Sequence, residues 1–268
     1  MAEVDVAGLG IWSPTFADWD AFRHGLESGE WSTENKLQPE RIPPRERRRA
    51  PQLVKMAIEV MDQACRMAKL EPEQVAVVFS SSMGDMQITD YMCRALANTP
   101  GLISPTRFHN SVHNAAPGYW SITTGAFTPA SAVSAHEYTA AMAFLEAAIQ
   151  VNEEDTAVLV VTQEVAAPLP LLDACPSTQA FSAAFLLTPP GAHSSARASI
   201  AFSHIDGHGS NPPLAAVLTD DYESNYGARL LPLLCAIAAG EQHSEFAFPM
   251  SAHSSLKLSL TPIETPGG

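Results

Sequence analysis

The chain has 268 residues, 46% of them hydrophobic, enough to bury a sizeable core in one large domain or two small ones. Its 15 basic and 29 acidic residues leave a formal charge of −14. That excess argues against general nucleic-acid binding, which needs clustered Lys and Arg against phosphate, and against docking on an anionic membrane.

The start, MAEVDVAGLG, carries neither a basic segment nor a long apolar one, so it does not read as a signal peptide. No run of about 18 apolar residues follows, so no membrane span is expected. Cys65, Cys93, Cys175 and Cys235 form no CxxC pair and read as reduced, structural thiols of a cytoplasmic protein.

Residues 4–11 (VDVAGLGI) are an apolar run closed by Gly and Ser-Pro, which predicts a buried first strand. Asp18 can cap a short helix through Gly25, with Trp19, Phe22 and Leu26 on one face. Residues 29–50 read as a loop with a basic end formed by Arg41, Arg45, Arg47, Arg48 and Arg49. That cluster is a solvated charge run, a set of internal ion pairs, or a docking spot for an acidic partner. Pro51 suits a first helical position, and the helix to Ala68 spaces Leu53, Met56, Ala57, Val60, Met61 and Ala64 on one side. Residues 75–79 (VAVVF) read as a strand buried on both faces. The turn SSSMG at residues 80–84 then leads a helix to Asn98. A Ser-rich turn there could bind an anion, although capping is the simpler account.

Residues 108–148 read as a polar loop, a short helix, a tight turn, a buried strand, an abrupt elbow at residues 134–138 and an apolar helix. Strand, sharp turn and helix is how α/β enzymes present a nucleophile at a helix N-terminus. Here the apex holds Glu137, with no Cys and no activated Ser. His109 and His113 stand four apart, as helical metal ligands can, but no third ligand is near and their segment reads as loop, so no metal is expected. Strands follow at residues 156–162, 180–188 and 196–205, with a Pro-marked excursion over 166–177 and a turn-rich close over 203–211. Residues 230–239 read as a helix, 254–260 as a strand and 261–268 as a frayed end. Apolar strands alternating with helices predict an α/β fold with helices on both faces of one mixed sheet.

The ordered set of VAGLGIWSPT, VVFSSSMGDM, FHNSVHNAAPGYWSITTG, PASAVSAHEYTAAMAFLEAA and AFSHIDGHGSN resembles the N-terminal half of a β-ketoacyl synthase, over residues 4–212. The resemblance implies a thiolase-like layered fold whose N-terminal half is complete and whose C-terminal half is truncated. Residues 1–212 would form the synthase-like domain, and residues 213–268 a short extension completing or capping it. It also puts Glu137 where the family carries its nucleophilic cysteine. A carboxylate there is a poor acyl acceptor, because a mixed anhydride is too labile to hold a growing chain. The family's two C-terminal catalytic histidines have no counterpart motif, and Cys175 falls in the Pro-rich excursion.

Members without the nucleophile are chain-length factors, and the sequence is most similar to the short type linked to aryl polyene biosynthesis. The resemblance therefore implies a non-catalytic, cofactor-free subunit that joins an active β-ketoacyl synthase in a heterodimer or higher assembly and shapes its acyl tunnel. Phe108, His109, His113, Asn114, Tyr119, Trp120, Ser134, His136, Glu137 and Tyr138 would lie at the tunnel or the partner interface. The strand at residues 130–134 would pair with its counterpart in the partner, and the Arg41 to Arg49 cluster would dock an acyl carrier protein. Two other readings stand beside it: a malonyl-thioester decarboxylase-like pseudo-ketosynthase, and a non-enzymatic carrier-protein scaffold.

Overall fold

The computed structural model describes residues 2–32, 34–209 and 213–263. Ser210 and Asn211 of the expected closing turn, Pro212 at the expected domain boundary, and residues 264–268 of the expected frayed end lie outside the described residues.

The chain builds one eight-stranded mixed sheet in the order β3-β2-β4-β5-β1-β6-β8-β7. Its first strand, β1 (Ala2–Trp12), is followed by the helices α1 (Trp19–Ser28), α2 (Pro44–Arg47) and α3 (Gln52–Ala68). β2 (Ala76–Ser80) leads to α4 (Met86–Asn98), α5 (Pro105–His109) and α6 (Ala115–Thr124). β3 (Ala130–Val133), α7 (Thr139–Glu154) and β4 (Val158–Glu164) come next, then β5 (Phe181–Thr188) and β6 (Ala198–Asp206). The chain continues through α8 (Ala216–Tyr222), α9 (Leu231–Ala239), β7 (Ser244–Ser251) and β8 (Ser254–Pro262). β2 pairs in parallel with both β3 and β4, and every other pairing is antiparallel.

Strand alternation divides the interior into two cores. Val158 and Val160 of β4 join Phe144 and Ala147 of α7, with Trp19 and Phe22 of α1, on one face. Leu159 and Val161 join α3 and Trp120 of α6 on the other. The GLG motif of β1 has a packing cause. A Cβ on Gly8 would lie 2.1 Å from Ala64 O, and one on Gly10 would lie 1.9 Å from Val60 O. Only glycine lets α3 sit this close to the strand. A bulge between Val6 and Gly8 accompanies the approach, and the Ile11 amide donates to Gln63 Oε1 of α3 at 3.0 Å.

Four sequence expectations need correction. Residues 29–50 contain the short helix α2, started by Pro44 and held by Arg47 donating to the Ile42 and Glu40 carbonyls. Pro51 is the cap before α3 rather than its first residue. The stretch around His109 is helical at α5, because Ser104 accepts from the Arg107 amide and starts a turn. β3 is a half-exposed edge strand and not a buried one, since among the described residues it has β2 on one side and no strand on the other. β7, with Phe246 and Phe248 facing the core and Pro249 in its run, is a strand that the periodicity did not mark.

Candidate functional site: the elbow and the open edge of the sheet

The parallel strands β2, β3 and β4 end together, at the side where α/β sheets commonly place their chemistry. β3 runs into the elbow, where Ala135 N–H donates to Thr139 Oγ1 at 2.9 Å and that hydroxyl donates to the His136 carbonyl at 2.6 Å. His136 takes φ +51, in the left-handed region that costs a non-glycine residue energy. The elbow thus carries backbone strain at His136. Glu137 follows directly and is exposed. It lies just ahead of α7, where the helix dipole favours a negative charge.

No thiol or activated hydroxyl stands at the apex. The Ser134 hydroxyl is spent on the Ser82 carbonyl at 2.8 Å, and the His136 ring packs on Tyr226 with centroids 5.1 Å apart. Burial pushes the Tyr226 phenol up, and the nearby Glu137 adds to that while Arg229 opposes it. A cavity of about 560 Å³ opens beside the elbow, between Glu137, Tyr138 and Ala141 on one side and Tyr222, Arg229 and Phe248 on the other. Beneath the elbow the crevice is filled from the chain itself. The turn Tyr226–Ala228 lies over β4, where Thr162 Oγ1 donates to the Gly227 carbonyl at 2.8 Å. A Cβ on Gly227 would stand 2.6 Å from the Gln163 carbonyl carbon.

The residues singled out in the sequence fall into separate groups. Ser134, His136, Glu137 and Tyr138 form the elbow. Phe108 and His109 are exposed on α5, and His113 and Asn114 are exposed in the turn before α6. Tyr119 is half-buried, and Trp120 is fully buried in the chain's own core. Of the basic cluster, Arg41 pairs with the buried Asp62, which also takes Arg66, and Arg47 holds the α2 loop. Arg45, Arg48 and Arg49 remain exposed. Among the described residues, no group of three or more His, Cys, Asp or Glu side chains is placed to hold a metal ion. No helix among them is long and apolar enough to cross a membrane.

Two features escaped the sequence reading. The first is the exposure of large apolar side chains ahead of β3 in the chain: Phe127 is 100% exposed, Ile122 84% and Val112 49%, in addition to Phe108, singled out in the sequence, at 61%. The second is Glu164 at the end of β4, fully buried with its carboxylate against the Ser81–Ser82–Met83 turn. The polar TQE close of an otherwise apolar run was its only signal.

The family model for the β-ketoacyl synthase N-terminal domain matches residues 19–216. The chain belongs to that family. No curated protein matches the sequence. The β-ketoacyl synthase fold is also found in solved structures of low sequence identity. One is the ketosynthase ApeO in complex with its chain length factor ApeC from Xenorhabdus doucetiae, at 20% identity and TM-score 0.71, with 97% of this chain and 100% of that one covered. A second is AntDE:AntF, a type II polyketide synthase acyl-carrier protein in complex with its ketosynthase, at 14% identity and TM-score 0.75, covering 98% of this chain and 99% of that one. A β-ketoacyl synthase from Burkholderia phymatum aligns at 13% identity and TM-score 0.60, over 87% of this chain and 70% of that one.

Proposed function

We propose that the chain is a non-catalytic chain-length factor that pairs with an active β-ketoacyl synthase and shapes the tunnel for its growing acyl chain. One observation carries the reading: a synthase-family sheet ends in an uncovered strand, β3, preceded in the chain by exposed Phe108, Val112, Ile122 and Phe127, while the elbow behind it presents Glu137 in place of a thiol. An open edge and exposed apolar side chains are aggregation liabilities unless another chain covers them. A synthase-like partner supplies both a strand end and an apolar face. The fold shared with the complex of ApeO and its chain length factor ApeC fits such a pairing, and an aryl polyene or related polyene product is proposed from the sequence resemblance alone. Exposed Arg45, Arg48 and Arg49 are the part of the basic cluster free to meet an acidic acyl carrier protein. Residues 213–263 act in this reading as part of the same domain, since β8 pairs with β6.

The test is reconstitution of the active synthase and carrier protein with and without this chain, followed by mass analysis of the products. The reading expects full-length product only when the chain is present. Release of carbon dioxide from malonyl-carrier by the chain alone would overturn it in favour of a decarboxylase. With Glu137→Ala, a shifted product length assigns the elbow to the tunnel wall. Unchanged product and complex remove any special role for Glu137.

A further inference from the structure

Glu164 closes β4 with no exposed surface, and no Lys, Arg or His acts on its carboxylate among the described residues. What faces it is the turn after β2. The Ser82 and Met83 amides donate to the carboxylate, and the Ser81 hydroxyl lies 3.3 Å from both of its oxygens. The same hydroxyl accepts from the Gly84 amide at 2.9 Å. The Ser-rich turn is occupied, and the group that fills it is the chain's own Glu164 carboxyl.

Ser82 is gripped at both of its backbone polar atoms. Glu164 takes its N–H, and its carbonyl accepts the Ser134 hydroxyl at 2.8 Å. Ser134 comes directly after Val133, the last residue of β3. Because β3 has a neighbouring strand on one side only among the described residues, its C-terminal end depends on ties of this kind.

We infer that Glu164 is a positioning residue for the partner-facing edge: its carboxylate sets the 81–84 turn, the turn holds Ser134 through the Ser82 carbonyl, and β3 with the elbow is thereby kept in the geometry a second subunit meets. The partner's part in this rests on the pairing proposed above. The ordering of β3 by Glu164 does not.

Hydrogen exchange on the isolated chain separates the two. Glu164→Ala should speed amide exchange at residues 82–84 and 130–135 by about tenfold, the loss of hydrogen bonds to a buried carboxyl group, with the rest of the sheet unchanged. Glu164→Gln keeps an acceptor for the Ser82 and Met83 amides and should stay near the wild-type rate. Ser134→Ala should speed exchange at 130–135 and add little to Glu164→Ala, because both cut one chain of bonds. Uniformly faster exchange in Glu164→Ala, or independent effects of the two variants, would overturn the assignment. Affinity for the synthase is then read on the same variants, with Glu164→Ala about tenfold weaker and Glu164→Gln near wild type. Equal affinities for all three overturn the link to the partner. A wild-type chain that binds no synthase counts against the pairing, and the exchange result still decides the role of Glu164 in ordering β3.

Discussion

The Ser134 hydroxyl donates to the Ser82 carbonyl at 2.8 Å, joining the end of the edge strand to the turn after β2 across 52 positions of sequence. The elbow is therefore fastened to the sheet by a side chain as well as by strand pairing. Ser134→Ala should cost about 0.5–1.5 kcal/mol, the worth of one such bond. Urea denaturation should show a lower midpoint with an unchanged slope, since nothing else in the fold moves.

Glu164 gives the fold a pH dependence of unusual sign. Burial raises its carboxyl from the ordinary 4.5 to about 8, against the opposing pull of the Ser82, Ser81 and Met83 donors. Between those values the folded chain binds a proton that the unfolded chain has already lost. Stability from this group is therefore present at low pH and falls as pH rises through about 8. Urea midpoints measured from pH 5 to 9 should fall in the wild type and fall less in Glu164→Gln, the difference between the two isolating Glu164 from the general repulsion of an acidic chain.

Gly10→Ala should disrupt the seat of α3 on β1, because the added Cβ has only 1.9 Å to Val60 O, a backbone atom that cannot swing aside. The expected loss is at least about 2 kcal/mol, within the range for overpacking a tight core. Gly29→Ala is the contrast, since that position has open space around it and only its φ of +75 opposes a side chain. Thermal unfolding of the two variants separates steric conflict from backbone strain.

These glycines also show what the sequence could reveal. The apolar runs at β1, β2, β4 and β5 were readable because strands buried on both faces carry little else. The cap at Asp18 was readable because a carboxylate before an amphipathic run has few other uses, and it does accept from the Ala21 amide. β7 was hidden because Pro249 and a short alternation look like loop. The burial first read for β3 failed because its residues, ASAV, suit a covered strand as well as a bare one, while its open edge was expected only from the family resemblance. The elbow was found from its pattern, but its strain at His136 and the burial of Trp120 depend on backbone angles and packing that spacing does not encode. Glu164 was passed over because a lone carboxylate at a strand end usually points to solvent.

Phe127 and Ile122, which precede β3 in the chain, are 100% and 84% exposed. Phe127→Asp should leave the isolated chain folded, since the ring touches no core. It should weaken binding to the synthase by at least about tenfold, 1.4 kcal/mol or more. Circular dichroism and a binding titration together check both halves of that statement.

The central claim is that the open edge at β3 is completed by an active β-ketoacyl synthase. Native mass spectrometry of the chain co-expressed with the active β-ketoacyl synthases of its own organism measures this most directly. The account predicts a complex containing both subunits in equal number, lost with Phe127→Asp. A chain that remains apart from every synthase, as a monomer or as a stable homodimer, would contradict it.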